Sequence, residues 1–164
     1  MAESLKKIEG TKDEIYKSLI PQIKSLVEDE EDLIANLSNT IAVLKEAFDF
    51  LWVGFYFVKG DDLVLGPFQG PLACTRIRYG KGVCGIAWKE ARTLVVPDVE
   101  AFPGHIACSS LSRSEIVVPL KKEGVIWGVL DIDSAELNTF DEIDKQHLEH
   151  LSSILANLFL SIIL

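Results

Sequence analysis

Apolar residues recur at helical spacing near both ends of the chain. Residues 11–29 predict a first helix, in which Pro21 marks a possible kink or break. Residues 31–48 predict a second helix, because large apolar side chains three or four positions apart form one stripe. The members of this stripe are Ile34, Leu37, Ile41, Leu44 and Phe48.

A third long helix is predicted near the end of the chain. The stretch "TFDE" is typical of a capping box, with Thr139 as the N-cap and Glu142 three residues later. The helix behind it, about 140–163, has apolar side chains on one side. These are Leu148, Leu151, Leu155, Leu158 and Ile162.

Between the helices, short apolar runs alternate with turn residues, a pattern typical of strands. The predicted strands are 51–58, 63–66, 74–78, 93–96, 115–120 and 125–133, with a short helix at about 83–90. "KGDD" and "KKEG" are the turns of two hairpins. Six short strands flanked by helices predict an α+β fold, in which the helices pack together on one face of the sheet and the other face is open.

Alternation along the strands assigns side chains to the two faces of the sheet. The apolar sets, which we expect against the helices, are Leu51, Val53, Phe55, Phe57, Ile116, Val118, Leu120, Leu130 and Ile132. The opposite face collects Trp52, Tyr56, Glu115, Asp131 and Asp133. Carboxylates accept hydrogen bonds from an ammonium group, and aromatic faces favour cations and sulfur. This face therefore predicts a pocket for a small, positively charged polar ligand, with solvated residues near a strand end as the alternative interpretation.

The three cysteines differ in their surroundings. Cys84 lies among small and apolar residues in "GKGVCGIA", which favours a buried, inert thiol. Cys74 begins a predicted strand, whereas Cys108 lies in a loop of small polar residues that suits a reactive thiol. His105 is near enough in sequence to lower the pKa of Cys108, but its position is more simply incidental. A metal site made of His105, Cys108 and a carboxylate has no recognisable ligand spacing, so we expect no metal.

Composition narrows the classes of function. The chain has 164 residues, of which 48% are hydrophobic and 25% charged, and these values are typical of one globular domain. A net charge of -9 disfavours nucleic acid as a partner. The N-terminal "MAESLKKIEG" lacks the apolar core of a signal peptide, and the apolar C-terminal stretch of 13 residues is too short to span a bilayer. An odd number of cysteines without a CxxC motif agrees with a reducing cytoplasm.

Six segments together resemble a known family. "GPFQGPLACTRI", "GKGVCGIA", "PDV", "FPGHIAC", "SEIVVPL" and "GVLDIDS" occur in this order between about Leu51 and Phe140. They are similar to the GAF-domain free methionine-(R)-sulfoxide reductases. The resemblance implies a single GAF domain over 1–164, with a six-stranded antiparallel sheet, helices behind it and a loop-covered pocket at about 51–134. It also implies a homodimer, as is usual for GAF domains.

The resemblance also implies a role for each candidate residue. Cys108 corresponds to the nucleophile, Cys74 to the thiol that resolves the oxidised enzyme, and Cys84 to an auxiliary cysteine. The carboxylates Glu115, Asp131 and Asp133 correspond to pocket acids, and Trp52 and Tyr56 to an aromatic wall. Glu115 is expected to protonate the sulfoxide oxygen, while Asp131 and Asp133 hold the α-ammonium group. Thioredoxin, with no other cofactor, is expected to reduce a Cys74–Cys108 disulfide.

The loop around Cys108 departs from the family pattern. Ser109 stands where an aspartate is common, and Leu111 and Arg113 replace smaller or neutral residues. Two other functions stay open from the sequence. One is a GAF module that only binds a small molecule such as a cyclic nucleotide, although three carboxylates disfavour a phosphate. The other is a thiol redox sensor without turnover.

Overall fold

A computed structural model describes residues 4–158 as helices packed against one antiparallel sheet. The helices are α1 (Lys12–Glu28), α2 (Leu33–Phe48), α3 (Gly82–Glu90) and α4 (Glu142–Ala156). The strands are β1 (Trp52–Lys59), β2 (Asp62–Gln69), β3 (Arg76–Arg78), β4 (Leu94–Val96), β5 (Ser114–Lys122) and β6 (Val125–Ser134). One 3-10 turn spans Val99–Ala101. No helix within the described residues is long and apolar enough to cross a bilayer.

The six strands follow the order β3-β2-β1-β6-β5-β4, and every neighbouring pair is antiparallel. The predicted α+β fold with a six-stranded antiparallel sheet is confirmed. β2 continues to Gln69, beyond the predicted end at 66, because its pairing with β1 reaches that residue. Pro67 is tolerated because the pairing of β2 with β3 ends at Val64, so Pro67 lies at a free edge.

Each face of the sheet has its own apolar core. Helices α1, α2 and α4 cover one face, where Val53, Phe55 and Ile132 are fully buried. Strand patterning predicted that the other face is open, which is wrong, whereas the covered pocket that the resemblance implies agrees with the structure. α3 and the loops beside it cover this face, and Ala87 of α3 is fully buried in the second core. Local sequence could not show this covering, because it depends on where a short helix returns across the sheet.

Several local predictions need correction. α4 begins after Asp141, whose carboxylate accepts hydrogen bonds from the backbone of Ile143 and Asp144 in a capping box. Thr139 is not the N-cap, because it lies two residues before Asp141, and its hydroxyl donates to Ser134 Oγ at 2.6 Å. Pro21 lies inside α1 without breaking the helix. Ile162 of the predicted C-terminal stripe lies outside the described residues.

The apolar stripe of α2 is displaced by one position at its start. Ile34 is 49% exposed, whereas Leu33 is 7% exposed and belongs to the core. The buried face of α2 includes two polar residues, Asn36 and Thr40. Asn36 donates to the carbonyl of Glu30 at 2.7 Å, and Thr40 donates to the carbonyl of Asn36 at 2.9 Å. Satisfied polar groups can be buried at little cost, so a stripe defined only by apolar residues misplaced the face.

Candidate active site

A disulfide joins Cys74 and Cys108 across two loops at the edge of the second core. Their Cα atoms are 5.3 Å apart, and 34 positions separate them in sequence. Cys74 lies in the irregular segment between β2 and β3, and Cys108 lies in the irregular loop before β5. Both cysteines are half-buried. The structure therefore holds these two thiols in the oxidised pairing that the resemblance implies.

The disulfide borders a small cavity of about 50 Å³ over the covered face of the sheet. The candidate residues that line it are Trp52, Tyr56, Cys84, Cys108, Glu115, Asp131 and Asp133. Cys74 reaches the cavity through its bond to Cys108. The cavity is smaller than the roughly 300 Å³ or more that is typical of ligand sites.

The three carboxylates come together because β5, β6 and β1 are neighbours in the sheet. Asp133 lies directly opposite Glu115 on β5 and opposite Trp52 on β1. Asp131 lies opposite Gly54 on β1. Glu115 is 5% exposed and Asp131 is 6% exposed, whereas Asp133 is half-buried. The alternative of solvated carboxylates near a strand end is wrong.

Burial and mutual repulsion favour the protonated forms of these carboxyl groups. Burial raises the pKa of Glu115 well above its usual value, and the charges of Asp131 and Asp133 raise it further. Burial also raises the pKa of Asp133, and the charge of Asp131 adds to that effect. The pKa of Asp131 is raised by burial, although hydrogen bonds from Glu115 and Cys84 oppose the rise. The cluster therefore holds protons at pH values where exposed carboxyl groups have lost theirs.

Cys84 belongs to this cluster and is not an isolated core thiol. It lies in the first turns of α3 and is 3% exposed. Its sulfur donates to Glu115 Oε1 over 3.9 Å. Burial raises the pKa of the Cys84 thiol well above its usual value, and the charges of Asp131 and Glu115 raise it further. A neutral thiol is a poor nucleophile, so Cys84 is chemically suited to hydrogen bonding rather than attack.

Trp52 and Tyr56 form one aromatic wall of the cavity. Their rings are stacked with centroids 5.9 Å apart, and the ring of Phe68 also stacks on Trp52 with centroids 5.3 Å apart. Gly54 lies between them in sequence, and a Cβ there would be 2.7 Å from Cζ3 of the indole. Glycine at this position therefore allows the indole to lie close against β1. Leu51 also lines the cavity, contrary to its predicted direction, because it precedes β1 and escapes the strand alternation.

Two buried polar atoms in this wall and cluster have no hydrogen-bond partner within the described part of the chain. They are the indole nitrogen Nε1 of Trp52 and the carboxylate oxygen Oδ1 of Asp131. One is a donor and the other an acceptor. Buried polar groups without partners are costly, so each of these atoms is available to a polar ligand in the cavity.

The loop that carries Cys108 contributes a residue that the sequence did not single out. Ser112 donates to Asp133 Oδ1 at 2.5 Å and lines the cavity. Only the contact across 21 positions identifies it. His105 also lines the cavity, and burial lowers its pKa. The imidazole is therefore mostly neutral at pH 7 and does not supply a positive charge to activate Cys108.

The residues that depart from the family pattern lie in different places. Ser109 lines the cavity beside Cys108. Leu111 is 58% exposed, and Arg113 is also exposed and is not among the cavity residues. Only Ser109 is placed to affect a bound ligand directly.

One group of side chains has the composition of a metal site. Cys84 Sγ and one carboxylate oxygen each from Glu115 and Asp131 all lie within 4.8 Å of one another. Thiolate and carboxylate donors suit Zn²⁺, although the raised pKa values mean that a cation would have to displace protons. The set of His105, Cys108 and a carboxylate is not available in this form, because the Cys108 sulfur is bonded to Cys74.

Comparisons with known proteins agree with this architecture. The family model described as GAF domain matches residues 32–159. GAF domain-containing protein A of Dictyostelium discoideum is 60% identical over 158 residues, which cover 96% of this chain and 100% of that protein. The free methionine-R-sulfoxide reductase of Escherichia coli K12 is 46% identical, with 85% of this chain and 86% of that protein covered.

A solved structure extends the similarity to the fold. The free methionine-R-sulfoxide reductase from Neisseria meningitidis, determined in complex with its substrate, is 57% identical to this chain. The two structures superpose with a TM-score of 0.94, and the alignment covers 95% of each chain. The GAF-domain match over residues 32–159 includes all the strands and loops that surround the cavity.

Proposed function

The chain belongs to the GAF-domain family and is a free methionine-R-sulfoxide reductase, and from that premise we propose how its own residues perform the reduction. The observation that carries the proposal is the Cys74–Cys108 disulfide beside a buried carboxylate cluster. A cavity with one oxidisable thiol pair and one source of protons has what the reduction of a sulfoxide requires. The substrate is free L-methionine-(R)-sulfoxide.

The carboxylates and the aromatic wall bind the substrate. The α-ammonium group donates to Asp131 and Asp133, and the unpartnered Oδ1 of Asp131 supports this contact. The methyl and methylene groups lie against Trp52 and Tyr56, where aromatic faces favour sulfur and apolar groups. A residue within a peptide chain has no α-ammonium group. A ligand that lacks a buried charged contact binds much more weakly, so the enzyme prefers the free amino acid.

The first chemical step is attack by the Cys108 thiolate on the sulfoxide sulfur. Glu115 donates its proton to the sulfoxide oxygen, because an unprotonated oxygen is a poor leaving group. The raised pKa of Glu115 keeps that proton available at neutral pH. The attack forms a bond between the sulfur of Cys108 and the substrate sulfur, and the S–O bond breaks as the protonated oxygen leaves as hydroxide. Hydroxide then adds to the sulfur of Cys108, the bond between the two sulfurs breaks, and methionine leaves as a thioether reduced by two electrons. Cys108 is left as a sulfenic acid, oxidised by two electrons.

The second step forms the disulfide. The Cys74 thiolate attacks the sulfur of the Cys108 sulfenic acid, the S–S bond forms, the S–O bond breaks, and the hydroxide leaves as water after taking a proton. A dithiol reductant of the thioredoxin type then reduces the disulfide and restores both thiols. The exposure of Leu72, two residues before Cys74, supports access for a protein reductant, since this side chain is 89% exposed. No cofactor other than this reductant is required.

Two wider properties belong to the same proposal. A reducing compartment such as the cytoplasm suits an enzyme that must recover free thiols in each cycle. A homodimer is proposed on the family resemblance, and the exposed Ile34 of α2 offers apolar surface for it. Light scattering coupled to size-exclusion chromatography would test this: a mass near 36 kDa, about twice the 18.2 kDa of one chain, supports the dimer and a mass near 18.2 kDa refutes it.

The test is NADPH consumption in a coupled thioredoxin–thioredoxin reductase assay with three substrates. We expect turnover of free L-methionine-(R)-sulfoxide but not of the S epimer or the N-acetylated R epimer. Cys108→Ser should abolish turnover, whereas Ser110→Ala in the same loop should retain it. Turnover by Cys108→Ser would refute the assignment of the nucleophile. Activity on no substrate, with or without a small-molecule dithiol, would leave a binding module or a redox sensor in place of an enzyme.

A further inference from the structure

The hydroxyl of Tyr56 contacts the main chain of the resolving cysteine. Tyr56 Oη donates to the carbonyl oxygen of Cys74 at 2.9 Å, across 18 positions in sequence. Cys74 lies in a segment without regular secondary structure. The backbone N–H of Leu65 donates to the carbonyl of the neighbouring Thr75 at 3.0 Å, and the hydrogen bond from Tyr56 fixes the carbonyl of Cys74 itself. An aromatic residue of the cavity wall is thus tied to the loop that carries the second thiol.

Tyr56 is a rigid point of attachment. It lies in the middle of β1, is 2% exposed and stacks on Trp52. Burial raises the pKa of the Tyr56 phenol, and the charge of Asp131 raises it further. The hydroxyl therefore stays protonated and able to donate at pH values at which an exposed tyrosine ionises. A fixed donor on the sheet can hold a flexible loop in one place.

The resolving step depends on where Cys74 lies. Once Cys108 has become a sulfenic acid, the Cys74 sulfur must approach it closely enough to bond, and the two Cα atoms in the disulfide are only 5.3 Å apart. An attack within one molecule is fast when the reacting groups are already held in place, and it slows when the loop samples many positions. The loop on the Cys74 side has its tether at Tyr56.

We propose that Tyr56 is a positioning residue for disulfide formation, in addition to its place in the aromatic wall. Its hydroxyl holds the Cys74 main chain so that the thiol attacks the Cys108 sulfenic acid before other nucleophiles or a second oxidation can reach it. The proposal rests on the function proposed above, because it assigns Tyr56 to the step after methionine has left.

The test is a single turnover of reduced Tyr56→Phe, which keeps the ring and removes only the hydroxyl. Methionine release measures attack by Cys108, the loss of free thiols measures disulfide formation, and a dimedone-type reagent traps the sulfenic acid. We expect disulfide formation to slow by about five- to tenfold, the effect of one lost hydrogen bond, and the trapped fraction to rise. Tyr79→Phe, at a 47% exposed tyrosine outside the cavity, is the matched control. In Cys74→Ser the disulfide with Cys108 cannot form, so this variant gives the largest trapped fraction of sulfenic acid.

Other outcomes would overturn the proposal separately from the function. Disulfide formation in Tyr56→Phe at the wild-type rate would show that the hydroxyl does not position Cys74. An equal slowing of methionine release and disulfide formation would show that Tyr56 acts only as part of the binding wall. Failure of the wild-type enzyme to release methionine would instead refute the proposed function itself.

Discussion

Replacing Glu115 by glutamine should stabilise the fold at neutral pH while it impairs turnover. Glu115 is 5% exposed and lies directly opposite Asp133 in the sheet. Side chains in such pairs are about 5 Å apart, and two ionised carboxylates at that distance repel by about 3 kcal/mol at an effective dielectric constant of about 20. The folded protein avoids this repulsion by retaining a proton, and retention has its own cost at neutral pH.

The free-energy cost of retaining the proton follows from the linkage between protonation and folding. Holding a proton against solvent costs about 1.4 kcal/mol for each pH unit above the ordinary pKa, which is about 4.3 for glutamate. A Glu115 that stays protonated at pH 7 therefore costs between about 3 and 4 kcal/mol, in agreement with the repulsion. Since the pKa of Glu115 is raised in the folded state, its contribution to stability is fully present below about pH 4 and is lost as the pH rises through the raised pKa.

Glutamine does not titrate, so the variant should escape this loss. We expect wild type and Glu115→Gln to have similar free energies of unfolding near pH 4, and the variant to be more stable by up to about 4 kcal/mol at pH 7. Urea denaturation at several pH values measures the difference, with the exposed Glu149→Gln of α4 as the control for loss of charge. The reasoning would be refuted by a difference that does not change with pH, or by a variant less stable than wild type at pH 8. The coupled assay should show a loss of turnover of about a hundredfold or more, typical of a lost general acid.

Three further changes test other parts of the structure. Gly54→Ala should raise the KM for free methionine-(R)-sulfoxide by about tenfold and leave the circular dichroism spectrum unchanged. The reason is that the new Cβ would lie 2.7 Å from Cζ3 of Trp52. A wild-type KM would contradict the role given to this glycine. Asp144→Ala should lower the free energy of unfolding in urea by about 3–5 kcal/mol. The reason is that Asp144 is 1% exposed and forms a salt bridge with Lys12 at 2.5 Å. A loss below about 1 kcal/mol would show that this salt bridge is dispensable. Reduction with dithiothreitol should lower the free energy of unfolding by about 3–4 kcal/mol, because the bonded cysteines are 34 positions apart in sequence. The free energy of unfolding of Cys74→Ser should not respond to dithiothreitol. An equal response in that variant would exclude the disulfide as the cause.

The sheet and its polar face followed from local pattern because strand geometry has a period of two. Alternation alone assigned Glu115 and Asp133 to one face, and their direct pairing across β5 and β6 agrees with it. Helix boundaries were less well predicted where two nearby polar side chains could each serve as the N-cap. Thr139 and Asp141 are residue types that both favour N-caps, and only the structure shows that the backbone of Ile143 and Asp144 donates to Asp141.

The chemistry of the site depended on contacts between distant segments. Cys84 appeared to be an inert thiol among apolar neighbours, and only the return of α3 across the sheet brings it within 3.9 Å of Glu115. Ser112 carried no signal in its own surroundings, because its partner Asp133 lies 21 positions away. The resemblance identified the reactive cysteines, but it did not indicate the hydrogen bond from the hydroxyl of Tyr56 to the carbonyl of Cys74.

The sequence by itself determined the α+β class, the two faces of the sheet and the family, because side-chain periodicity and ordered motifs are local properties of the chain. Tertiary structure alone decided that α3 lies across the second face, that Glu115 and Asp131 are buried, and that the pKa of Glu115 is raised. The physical reason is that pKa values and hydrogen-bond partners depend on burial and on neighbours from other strands. A carboxylate in a sequence therefore names a possible acid, and the packing around Glu115 determines whether it holds a proton.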